Sequence, residues 1–181
     1  MKIVVKVLYV VFSVVLLIYL ALPNPDFPTP PPDSIRSYEP ADVESDYRRG
    51  YYTNYTREEV MLNYLSQLDR SSILNLPIPT YRLNYPPEEA QFRIRDQTRS
   101  TYLEEIVHPF RESFFINGFE PILDKDMIYI DKVHWRQKII IKYEPSNVYA
   151  RLFVTLLTLI VITVLFSEWG KLVKSARKLL R

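Results

Sequence analysis

Leu152–Ser167, LFVTLLTLIVITVLFS, is an uncharged apolar run with Arg151 before it and Glu168-Trp169 after it, and its reading decides how the chain is organised. As a helix its apolar part falls slightly short of a bilayer core of about 30 Å. The aromatic flanks correct the arithmetic, because Tyr149 and Trp169 stand a helical rise of about 30 Å apart and each ring can meet one interface. Thr155, Thr158 and Thr163 do not spoil the reading, since a helical Thr hydroxyl bonds back to a carbonyl one turn earlier. The expectation is a transmembrane helix over 148–169, with Tyr149, Arg151 and Trp169 as interface anchors.

A second apolar run stands at the other end of the chain. Val7–Leu22 carries no charge and follows Lys2 and Lys6, the layout of a signal peptide or a signal anchor. A cut after Ala21 would put Tyr19 at the third position before it, where signal peptidase needs a small side chain. Residues 1–22 therefore read as a retained helix. Lys2, Lys6, Lys171, Lys174, Arg177, Lys178 and Arg181 bias both ends toward the cytoplasm, against Arg36, Arg136, Lys138, Lys142 and Arg151 near the ends of the middle segment. Residues 23–147 are thus expected outside the cell membrane, in a two-pass topology with the bilayer itself as a partner.

The middle segment has its own balance. Residues 23–151 hold 16 Lys and Arg against 20 Asp and Glu, so the net charge of +2 is set by the ends. No basic patch is evident on the part that would fold, and nucleic acid is not an expected partner. The chain has no Cys, hence no disulfide framework, no thiolate metal site and no Cys nucleophile.

Six prolines between Pro23 and Pro32 favour extended polyproline II geometry, so 23–52 reads as a stalk and irregular linker, either a spacer or a Pro-rich ligand. A small α+β domain over 53–147 follows, with two or three helices and a short antiparallel sheet between the two transmembrane helices. Thr56-Arg57-Glu58-Glu59 is a capping box, and Val60, Met61, Tyr64, Leu65 and Leu68 form one helical stripe behind it. Pro86-Pro87-Glu88-Glu89 is a helix start, and the spacing predicts a long helix to Val107, broken near His108 by Pro109. Asn117-Gly118 signals a turn, and Met127–Val133 and Trp135–Tyr143 alternate as a strand pair. Asn54-Tyr55-Thr56 is formally a glycosylation triplet, although its Thr already has a capping role.

Chemistry-bearing motifs are scarce. His108 and His134 lie in no H-E-x-x-H arrangement, three Gly cannot build a phosphate-cradling loop, and no Ser sits in G-x-S-x-G. Neither an enzyme nor a cofactor is expected. Arg95, Asp96 and Arg99, one turn apart on the long helix, read either as an internal ion pair or as an anion pocket for a lipid headgroup or carboxylate. Abundant Tyr suits a binding or interface surface. The tail 170–181 sorts Leu172, Val173, Ala176, Leu179 and Leu180 from Lys171, Lys174, Arg177, Lys178 and Arg181, a basic amphipathic helix against the inner leaflet or a plain continuation of the membrane helix. The function expected from these features is a non-enzymatic assembly, accessory or scaffold subunit that contacts other membrane proteins or itself. The alternative is a sensor or lipid/glycan-binding module using Arg95, Asp96 and Arg99.

Overall fold

The computed structural model describes residues 3–73, 75–95 and 97–179. The chain divides into two compact units, one made of both ends (1–22 and 146–181) and one of Pro23–Pro145.

The first unit is a pair of helices, α1 (Ile3–Ala21) and α4 (Val148–Leu179). Ile3–Ala21 and Val148–Val173 are both long and apolar enough to cross a membrane. Two kinds of polar bond join them. Tyr9 OH donates to Leu159 O at 2.8 Å and lies 3.2 Å from Thr163 Oγ1. Arg151 is buried, and its guanidinium bonds the Leu20 and Leu22 carbonyls at the end of α1, where a cation meets the negative end of the helix dipole. Thr158 and Thr163 each bond back to the carbonyl four residues earlier, at 2.8 Å. Gly170 does not interrupt the backbone, so α4 runs on to Leu179 in place of a separate tail helix.

The second unit is α+β. Its six-stranded antiparallel sheet has the order β1 (Ile35–Ser37), β2 (Arg48–Thr53), β8 (Gln137–Glu144), β5 (Ser113–Phe119), β4 (Tyr102–Val107), β3 (Tyr81–Tyr85). A separate hairpin pairs β6 (Ile128–Ile130) with β7 (Val133–Trp135). The capping box forms as read, with the Thr56 side chain and Glu59 bonding each other's backbone amides, and starts α2 (Arg57–Leu68). Val60, Met61, Tyr64 and Leu68 of α2 bury against Tyr51, Tyr102, Ile106, Phe114, Ile116, Ile139 and Ile141 on one sheet face. The other face carries a smaller core of Leu103, Phe115 and Ile140 under Ala90 and Ile94.

Several expectations are corrected here. Among the described residues there are four α-helices, two at the ends and two within the domain, and the sheet has six strands where a short one was expected. The helix predicted over 86–107 survives only as the four-residue α3 (Ala90–Arg93), and 102–107 is a central strand. Asn117 and Gly118 lie within β5, not in a turn; a Cβ on Gly118 would sit 2.1 Å from ring atoms of Tyr102, so glycine is required for close approach. Residues 23–52 are not an irregular stalk. They supply β1 and most of β2, and the Pro-rich part is docked along α2: Phe27 joins the core, Thr29 bonds Gln67, and Asp33 accepts from Thr53 Oγ1 and Asn54 N at 2.7 Å each.

Candidate functional site

Loss of the long helix removes the premise of the Arg95–Asp96–Arg99 pocket. Arg95 takes a left-handed backbone (φ 65°), with its side chain 70% exposed, and pairs with Glu44 at 2.7 Å. Arg99, 72% exposed, reaches a different acid, Asp126, at 3.5 Å. Asp96 lies outside the described residues. The two arginines are therefore engaged separately rather than converged on one anion.

Among the anchor residues, Tyr149 and Trp169 are exposed on α4, whereas Arg151 is turned inward onto α1. Lys171 pairs with Glu168 at 2.6 Å. The side chains of Lys174, Arg177 and Lys178, and Arg181 entirely, lie outside the described residues.

The structure instead shows three charged clusters that adjacent-residue reasoning missed, because their members come from distant segments. Glu104 points from β4 toward α2 with its side chain fully buried. It accepts from Arg57 Nε at 2.6 Å and from Arg82, and Arg82 goes on to grip Glu58 with two bonds of 2.7 Å. Burial pushes the Glu104 carboxyl up, but the Arg82 and Arg57 hydrogen bonds outweigh it and hold the group below the usual carboxylate range. A bidentate arginine between two acids fixes α2 to the β3 edge.

The second cluster sits at the β4–β5 turn. His108 Nε2 is 2.8 Å from the Leu68 carbonyl at the end of α2, so that nitrogen is the donor, and Nδ1 is 2.8 Å from Glu112 Oε1. Arg111 Nη2 adds a bond to Glu112 at 2.9 Å and one to the Pro23 carbonyl at 2.8 Å. Burial raises the Glu112 carboxyl, and His108 and Arg111 together more than reverse that, leaving it lowered.

In the third, Lys138 Nζ lies 2.7 Å from Asp42 Oδ2 and 2.9 Å from Glu39 Oε2, and Tyr52 OH donates to Glu39 Oε1 at 2.5 Å. Ser37 Oγ also donates to Asp42, at 2.7 Å. Asp42 thus takes both the Ser37 hydroxyl and the Lys138 amine. Burial lowers the Lys138 pKa, but Asp42 and Glu39 outweigh it and hold the amine charged. Each cluster ties segments together through matched charges.

Apolar groups show the opposite behaviour on the excursion between β5 and β8. Ile122 is 89% exposed, and Leu123, Tyr129 and Val133 are also exposed. The excursion is held in place by Arg136 Nε bonded to Glu120 at 2.6 Å, and its hairpin turns through Asp131 and Lys132, both with positive φ. Trp135 is buried at its base.

No family model, curated protein or solved structure matches the chain. The functional reading therefore rests on the residues themselves.

Proposed function

We propose that the chain is a two-pass membrane protein with both termini cytoplasmic and residues 23–147 outside, acting as a non-enzymatic assembly or accessory subunit. Two apolar end helices and the lysine-rich flanks support the topology. One observation carries the role: the excursion at 120–136 presents Ile122, Leu123, Tyr129 and Val133 to solvent. Large exposed apolar groups rimmed by an ion pair are the composition of a protein–protein contact. The partner is a neighbouring membrane protein or a second copy of the chain. Arg95 and Arg99 pair with separate acids, so the sensor reading gains no support from geometry.

The test is recovery from native membranes in mild detergent after cross-linking. The intact chain is expected in a stable complex, and Ile122→Asp/Val133→Asp is expected to release it while melting at an unchanged temperature. Recovery of the unaltered chain only as an isolated protomer refutes the assignment. Protease added to intact cells is expected to cut the domain and spare the carboxyl end; the reverse pattern inverts the topology.

A further inference from the structure

We infer that the end of the domain at which its chain begins and finishes rests on the bilayer, with the Phe110 ring inserted among the lipids at the headgroup boundary. This rests on the reading of α1 and α4 as membrane spans.

The strand registers define that end. Glu144, the last residue of β8, lies opposite Ser113, the first of β5. Val107, the last of β4, lies opposite both Ser113 and Tyr81. Arg111, in the turn between β4 and β5, holds the carbonyl of Pro23, the first residue of the domain. His108 of the same turn holds Leu68, so α2 and the loop after it finish here too. Only Leu22 separates Pro23 from α1, and three residues separate Glu144 from α4. Chain reach at those lengths is about 7 Å and about 14 Å. Both tethers, each only a few residues long, thus leave the domain from this one end.

The side chains on this end suit such a neighbour. Phe110 is 83% exposed at the tip of the turn, and its backbone has φ 61°. Arg111 N bonds His108 O at 2.9 Å, and proline at the second position with positive φ at the third makes this a type II turn, whose third position favours glycine. A bulky ring held in a left-handed backbone and left outside the core is doubly unfavourable in water. Both features become intelligible when hydrocarbon receives the ring. On the same end of the domain are Ile73 and Leu76 on the loop after α2, Tyr81 at the start of β3, and Tyr47, whose carbonyl accepts from Tyr143 near the end of β8; all four are exposed. Aromatic and aliphatic groups in one belt are the composition of a membrane interface.

The native chain has no Cys, so Phe110→Cys, Lys132→Cys and Ile160→Cys each give one thiol for a nitroxide label. Full-length protein in phosphatidylcholine/phosphatidylglycerol vesicles is probed for collisions with oxygen and with a water-soluble nickel chelate. Each labelled variant must melt as the parent does in detergent, and Ile73→Cys serves in place of Phe110→Cys should that change disturb folding. The expected order of the oxygen-to-nickel ratio is Ile160 highest, Phe110 raised, and Lys132, at the β6–β7 turn, lowest. A Phe110 label as aqueous as Lys132, with Ile160 still deep, overturns the inference and leaves the spans intact. An aqueous Ile160 label removes the spans and the inference together. A Phe110 label shielded from both reagents means that protein covers the ring, which also overturns it.

Discussion

Gln67 clasps Thr29 with both ends of its amide. Oε1 accepts from Thr29 N at 2.9 Å and from its hydroxyl at 2.8 Å, while Nε2 returns to the Thr29 carbonyl at 3.1 Å. One side chain on α2 thereby converts a proline-rich segment from a spacer into a strap along the domain. Gln67→Ala is expected to cost about 1 kcal/mol, since the bonds are exposed and each contributes little net. Proteolysis between Pro23 and Asp33 is expected to accelerate while cutting within the sheet does not. Equal cutting of both would mean that the strap is not an independent element.

Glu104 and Glu112 both have carboxyls held below the ordinary range, Glu104 by Arg82 and Arg57 against its own burial and Glu112 by His108 and Arg111 against its own. A depressed folded pKa stabilises above the unfolded value of about 4.3 and loses that contribution as pH falls through the folded value. Thermal unfolding is therefore expected to be flat near neutrality and to weaken steeply below about pH 4. Glu104→Gln should lower stability at pH 7 by about 2 kcal/mol, the low end for a broken ion pair because both arginines keep some contact with water. It should also flatten the acid limb. An unchanged limb would show that the Arg57–Glu104–Arg82 cluster is not what acid dissolves.

Tyr64 is fully buried in α2, and its hydroxyl meets no hydrogen-bond partner among the described residues. Burial accordingly pushes its pKa well up, with Tyr51 and Tyr102 adding to the effect. An unpaired buried hydroxyl costs about 1–3 kcal/mol, so Tyr64→Phe is expected to raise stability by about 1 kcal/mol. A drop in melting temperature would reveal a bond that the hydroxyl makes.

Gly118 has no room for a side chain under the Tyr102 ring, whose own hydroxyl is fixed to Gln137 at 2.8 Å. Gly118→Ala should cost about 2–3 kcal/mol by forcing the ring off its site. The double variant Gly118→Ala/Tyr102→Ala should then lose little more than Tyr102→Ala alone, read by denaturant unfolding. Additive losses would mean that the two do not touch.

The apolar end helices were legible because a long uncharged run signals a helix of that kind without tertiary help. So was α2, where the capping box and the stripe Val60, Met61, Tyr64 and Leu68 are local signals. The strand at 102–107 was hidden. Its acids sit on both sheet faces, Glu104 matched by Arg57 and Arg82 and Glu105 by the Tyr85 hydroxyl at 2.6 Å, and the latter pushes the Tyr85 pKa up to about 12. Adjacent glutamates with apolar residues around them look like an exposed helix until the remote partners are known. The Arg95–Asp96–Arg99 grouping fell with that helix. Asn117-Gly118 misled for a related reason, because a glycine kept for contact with a ring reads locally as a turn.

Bringing Pro23 and Glu144 to one end also changes how the hydrophobic segments find each other. While the intervening chain is unfolded it is a loop of some 120 residues, whose closure entropy scales to about 4 kcal/mol. Once folded, it is a short rigid bridge, and the Arg151 guanidinium and the α1 carbonyls meet at high effective concentration. Damage to the sheet is therefore expected to loosen the pairing of α1 with α4, at positions that no substituted residue touches.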